Sequence, residues 1–237
     1  MSSSDVTGVR PAAGGAAFWG VDAVLFDLDG TLIDSAPDLA GAANDLRAQH
    51  GLDAMPYEAL RPMVGSGARG MVGAAFGVAP GDAGFESLRD RFLAIYEARM
   101  LQSTVVFPSA QTVLDALEAR ALPWGIVTNK ATRFADPVVR GLGLHARAAV
   151  LIAGDTTPYA KPHPEPLLEA ARRLGLAPER CVYVGDDHRD VLSGRRAGMR
   201  TLAARWGYLG RGEQIEDWGA DAILDAPGAL LNWLELA

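Results

Sequence analysis

From Val21 onward, short apolar runs alternate with segments whose apolar residues recur at helical spacing. The runs VDAVLF (21–26), PWGIVTN (123–129), AAVLIAGD (148–155), CVYVGDD (181–187), RTLAA (200–204) and DAILDA (221–226) lack a clean period of two, which predicts strands covered on both faces. Between them, AQTVLDALEAR (110–120) and PEPLLEAARRLG (164–175) read as helices, the second starting behind Pro164 and stopping near Gly175. Strands alternating with helices predict an α/β fold built on a doubly wound parallel sheet.

Residues 36–104 break this rhythm. They hold no convincing strand, and PDLAGAANDLRAQHG, ARGMVGAAFG and FESLRDRFLAIYEARM all carry helical patterns. The expectation is a core of residues 18–35 and 105–237 with a helical cap, 36–104, inserted above the carboxyl ends of the strands, where open α/β sheets bind ligands. The stretch GSGARG (65–70) satisfies G-x-G-x-x-G, but a helical, proline-bearing segment precedes it where a dinucleotide fingerprint needs a strand. It is read as a turn between helices.

Composition narrows the partners. The chain has 237 residues, 49% of them hydrophobic, with 22 Lys plus Arg against 29 Asp plus Glu and a net charge of −7, so nucleic acid is not an expected partner. Residues 1–17 are small, polar and Gly/Pro-rich, without the apolar stretch of a secretory signal or a membrane span, and are read as a loose tail. Cys181 is the sole cysteine and lies in an apolar run, which predicts a buried thiol and suits a reducing cytoplasm.

A parallel sheet delivers the side chains at its strand ends to one edge. The first strand brings Asp27 and Asp29, the second Thr128 and Asn129, the third leads through Asp155 to Lys161, and the fourth brings Asp186, Asp187 and Asp190. So many carboxylates cannot all ionise in a confined space without a cation. Oxygen donors alone favour magnesium, and zinc-type His and Cys spacings are absent. With a metal present, Asp27 could attack a phosphorus atom to give an aspartyl phosphate. Asp29 could then protonate the leaving alcohol and later deprotonate water. Magnesium, Lys161, Thr128 and the loop amides would offset the charge of the transition state.

DLDGTLIDS (27–35), VTNK (127–130), KPHPEPL (161–167) and VGDDHRD (184–190) resemble, in order, the four motifs of the haloacid dehalogenase superfamily. That resemblance implies a Rossmann-like core with Asp27 as nucleophile, Asp29 as acid/base, and Thr128 and Lys161 as phosphate ligands. It implies magnesium held by Asp27, the Asp29 carbonyl and Asp186, with Asp190 and Asp187 as supporting or alternative ligands. The helical insertion with VGSGARGMV (64–72) looks like the phosphoglycolate phosphatase group. SGARGMV, GFESLRDRFLAIY, WGIVTNKATRFADP, GDDHRDVLSGRRAGMRT and WGADAILD further resemble N-acetylmuramic acid 6-phosphate phosphatases of cell-wall recycling.

The expected substrate is a small carboxylated phosphate ester, either N-acetylmuramic acid 6-phosphate or 2-phosphoglycolate. A sugar phosphomutase of the same superfamily and a non-catalytic sugar-phosphate-binding regulator are the alternatives. Carbon-attacking dehalogenases lack the second acid and fit poorly. Specificity is expected in the cap, with Arg69 reading the carboxylate and Arg133, beyond the second motif, as a second candidate.

Overall fold

The computed structural model describes residues 9–11, 20–210 and 212–236. Strands are β1 (Val9–Pro11), β2 (Ala23–Phe26), β3 (Ile33–Asp34), β4 (Val105–Val106), β5 (Trp124–Val127), β6 (Val150–Ile152), β7 (Cys181–Gly185), β8 (Arg200–Ala204) and β9 (Ala222–Leu224). The α-helices are α1 (Ala36–Gln49), α2 (Tyr57–Leu60), α3 (Gly67–Phe76), α4 (Phe85–Arg99), α5 (Pro108–Ala119), α6 (Thr132–Gly141), α7 (Glu165–Leu174), α8 (His188–Arg196) and α9 (Ala229–Trp233).

The main sheet has the order β1-β9-β8-β7-β2-β5-β6. Its six strands from β9 to β6 are parallel, as the apolar runs predict, and β1 adds an antiparallel edge on β9. β2, β5 and β7 are buried along their whole length because helices cover both faces. Val9–Pro11 falls within the segment read as a tail, and the rest of residues 1–17 lies outside the described residues. From β2 the chain proceeds outward through β5 to β6, then returns to the other side of β2 for β7 and β8. That reversal makes a crevice at the ends of β2 and β7, the place where such sheets bind ligands.

Between β2 and β5 the chain leaves the sheet for the helices α1–α4, which pack around a separate apolar cluster including Leu46, Leu60, Met71, Phe92 and Tyr96. Its two connections are tied together. β3 pairs antiparallel with β4, and the buried Asp38 on α1 accepts hydrogen bonds from Ser103 N (2.9 Å), Thr104 N and Thr104 Oγ1 (both 2.8 Å). GSGARG spans the end of a 3₁₀ turn, Arg61–Ser66, and the start of α3, so it joins helices as the missing strand implied.

Candidate active site

The apolar strand β2 stops at Asp27 because the next residues leave the sheet for a tight turn. Gly30 sits there at φ +86°, a conformation that favours glycine, and a Cβ at this position would fall 2.3 Å from Asp186 Oδ2. The DLDG turn and the end of β7 therefore pack backbone against carboxylate.

Asp27, Asp186 and Asp190 each place a carboxylate oxygen within 4.8 Å of the others. Lys161 stands among them, with Nζ 2.9 Å from Asp27 Oδ1 and 2.7 Å from Asp190 Oδ1. It also donates to Tyr183 OH at 2.7 Å and to the Val127 carbonyl at 3.0 Å. Burial pulls the Lys161 ammonium down, but Asp190 and Asp27 outweigh it and hold its pKa above the ordinary lysine value. Burial, and then the charges of Asp27 and Asp190, push Asp186 well above the usual carboxylate range. Asp186 accepts from Thr31 Oγ1 at 2.9 Å and from Tyr208 N at 2.8 Å. An all-oxygen, buried, clustered donor set of this kind fits a hard divalent cation, which would remove the repulsion that raises Asp186.

Asp29 occupies different surroundings two residues away. Lys130 Nζ donates to both its oxygens, at 3.0 and 3.1 Å, and Ser35 Oγ donates to Oδ1 at 2.5 Å. The Lys130 ammonium also stands 4.8 Å from the centroid of the Tyr96 ring on α4. Burial opposes its charge, yet Asp29 prevails and its pKa lies above that of a free lysine. Tyr208, buried after β8, accepts from Ser35 N (2.8 Å) and Ala36 N (3.0 Å) and donates to Asp34 Oδ1 (3.0 Å). Through its own amide on Asp186, it links the start of the insertion to the carboxylate cluster.

Above these groups lies a cavity of about 470 Å³. Asp27, Asp29, Thr128, Asn129, Lys161, Asp186, Asp187 and Asp190 all border it, so the strand-end residues do meet. Their duties divide more finely than the sequence suggests. Asn129 clamps the Lys161 backbone, donating from Nδ2 to its carbonyl (3.0 Å) and accepting from its amide (2.9 Å). Asp187 caps α8 and holds Arg189, which turns it away from the cluster that Asp190 joins. Asp155 caps α6 through Thr132 N at 2.8 Å and stays exposed.

Arg69 is not brought in. It is exposed and does not border the cavity, because α3 turns the side bearing Met71, Val72 and Ala75 inward. Arg133 is paired with Glu97 of α4, its Nε 2.8 Å from Oε1, on the outside of the molecule.

The pattern of the family described as haloacid dehalogenase-like hydrolase matches residues 21–198. The chain belongs to that family. This haloacid dehalogenase-like hydrolase is 43% identical over 215 residues to the N-acetylmuramic acid 6-phosphate phosphatase of Pseudomonas aeruginosa, covering 91% of this chain and 95% of the relative. It is 45% identical over 208 residues to a phosphoglycolate phosphatase of Xanthomonas campestris pv. campestris, covering 88% and 94%. The crystal structure of a predicted phosphoglycolate phosphatase from Haemophilus somnus superposes with a TM-score of 0.79 at 26% identity, covering 90% of this chain and 97% of that one. Among the described residues no helix of the hydrolase is long and apolar enough to cross a membrane.

Sequence reading missed Lys130 and Tyr208. Lys130 follows Asn129 directly and could have been counted among the groups that β5 delivers. Tyr208 lies in the loop after RTLAA, a strand end whose polar residues carry the same meaning as the other four.

Proposed function

We propose that this hydrolase cleaves a carboxylated phosphate monoester by way of an aspartyl phosphate on Asp27, with magnesium as the cofactor. The supporting observation is that two carboxylates two residues apart are held by different partners. Asp27 faces Lys161 and the acidic cluster, whereas Asp29 is gripped by Lys130 and Ser35. Unequal surroundings of this kind separate a nucleophile from an acid/base.

In the first step an Asp27 oxygen bonds to phosphorus as the bond from phosphorus to the ester oxygen breaks, and Asp29 gives a proton to the leaving alkoxide. In the second, Asp29 takes a proton from water, whose oxygen attacks phosphorus and frees Asp27. Lys161 and the Thr128 hydroxyl offset charge on the phosphoryl oxygens. Asp27, Asp186 and Asp190, with the Asp29 carbonyl, would hold magnesium, which supplies charge neutralisation for the bound phosphate.

The cavity favours N-acetylmuramic acid 6-phosphate over 2-phosphoglycolate. Its 470 Å³ falls in the range of about 300–1,000 Å³ typical of pockets for ligands well beyond two carbons. Leu39, Val64, Phe92, Leu93 and Phe134 give it an apolar wall that suits a sugar ring and its acetyl group.

The test is kcat/KM for both esters with magnesium and after exhaustive chelation, reading phosphate release. We expect a preference for the muramic ester and silence on chelation. Preference for phosphoglycolate would reverse the substrate assignment, full activity without metal would remove magnesium, and an isomerised sugar phosphate without free phosphate would mark a mutase.

A further inference from the structure

We propose that Arg189, on the core helix α8, reads the carboxylate of the substrate. The inference rests on the phosphatase reading above and adds the group that selects among phosphate esters.

Among the described residues three cationic side chains border the cavity: Lys130, Lys161 and Arg189. Lys161 is engaged by Asp27 and Asp190, and Lys130 by both oxygens of Asp29. Lys161 also serves the phosphoryl oxygens in the reaction above, so neither lysine is spare for a second anion on the substrate. Arg189 has no such duty. Its Nε and Nη2 each donate to Asp187, at 2.8 Å, and Nη2 donates as well to the Gly65 carbonyl of the insertion. Its Nη1 donates to no described residue.

The Arg189 side chain is 38% exposed and borders the cavity, so it is not enclosed in packed protein. The two hydrogens of Nη1 remain, and a carboxylate oxygen of the substrate can accept from them. Asp187 fixes the guanidinium through Nε and Nη2. Asp187 is itself fixed by capping α8, where it accepts from Arg189 N at 2.8 Å. A cation held this way loses little freedom when it binds. Its contact with Gly65 places it where the carboxylate-rich floor meets the 3₁₀ turn of the insertion. The other two arginines considered, Arg69 and Arg133, are directed to solvent and to Glu97.

The experiment compares kcat/KM for N-acetylmuramic acid 6-phosphate and N-acetylglucosamine 6-phosphate, which differ by the lactyl ether and its carboxylate. It uses wild type, Arg189→Gln and Arg189→Lys. Wild type is expected to favour the carboxylated ester by about 10- to 100-fold, the range of one hydrogen bond to a charged group. Arg189→Gln should lose most of that ratio, chiefly through KM of the carboxylated ester, and Arg189→Lys should retain part of it. If Arg189→Gln does not fold, Arg189→Lys carries the test, since one ammonium cannot hold Asp187 as the Nε and Nη2 pair does and also serve a second carboxylate. Variants that slow both esters alike, with the ratio kept, would make Arg189 a mere fastening between insertion and core and overturn the inference. Wild type without a preference would also overturn it while leaving the phosphatase reading intact. Release of phosphate from neither ester, nor from 2-phosphoglycolate, would overturn both.

Discussion

On the floor of the cavity, Asp27, Asp186 and Asp190 converge around Lys161, and Asp29 is matched by Lys130. The roof, formed by Leu39, Val64, Phe92, Leu93, Tyr96 and residues 65–68, presents no charged side chain among the described residues. Floor groups come from strand ends, the turns and loops beside them and the first turn of α8, so backbone hydrogen bonds fix their spacing. Roof groups come from helices with a separate apolar core. The difference teaches that the insertion shapes volume and excludes water, while charge recognition falls to the sheet side, even for a part of the substrate remote from phosphorus.

The strongest way to break this division is to disarm the floor. Asp27→Asn should lower kcat by roughly 10⁴-fold or more, with circular dichroism unchanged. Measurable turnover near the wild-type rate would end the covalent mechanism. A second measurement asks whether an ionisable group beneath the floor, lacking an ionic partner, is inert. Burial pushes the Cys181 thiol up to about 11, so below that pH it stays protonated. Alkylation of the native protein at pH 8 should run at least about 100-fold slower than in denaturant. Rapid native labelling would show that β7 opens.

The third prediction strikes where floor and roof touch. Lys130→Met leaves Asp29 mostly buried without its cation, at a cost of about 1–3 kcal/mol, and should lower kcat about tenfold. A thermal melt and kcat on one preparation check it, and an unchanged variant would mean that Lys130 only packs on Tyr96. The smallest effect is expected from Arg69→Ala, within about twofold in kcat/KM, because a solvated roof residue outside the cavity has nothing to lose. A loss of tenfold would return carboxylate recognition to the insertion.

The sheet was legible because strands buried on both faces must be apolar throughout and must end where polarity begins. Asp27, Thr128 and Asp186 were visible for the same reason, and Lys161 through its loop motif KPHPEPL. Two-residue strands such as β3 and β4 carry too few positions to show a pattern. Arg69 was misplaced because the spacing of Met71, Val72 and Ala75 tells that α3 has an inner face but not what that face meets. The pairing of Lys130 with Asp29 spans 101 residues of sequence, and nothing local records it.

The two chain connections to the insertion run side by side, as neighbouring strands β3 and β4 about 5 Å apart. A segment that departs and returns through one narrow neck is an exchangeable module: its length can change without shifting the sheet, since the neck closes the same way. Joining Asp34 to Val105 by a two-residue turn should therefore leave a core with a cooperative melt, and an aggregating product would deny it. A lineage could then trade one ceiling for another of different size while keeping a single chemistry beneath.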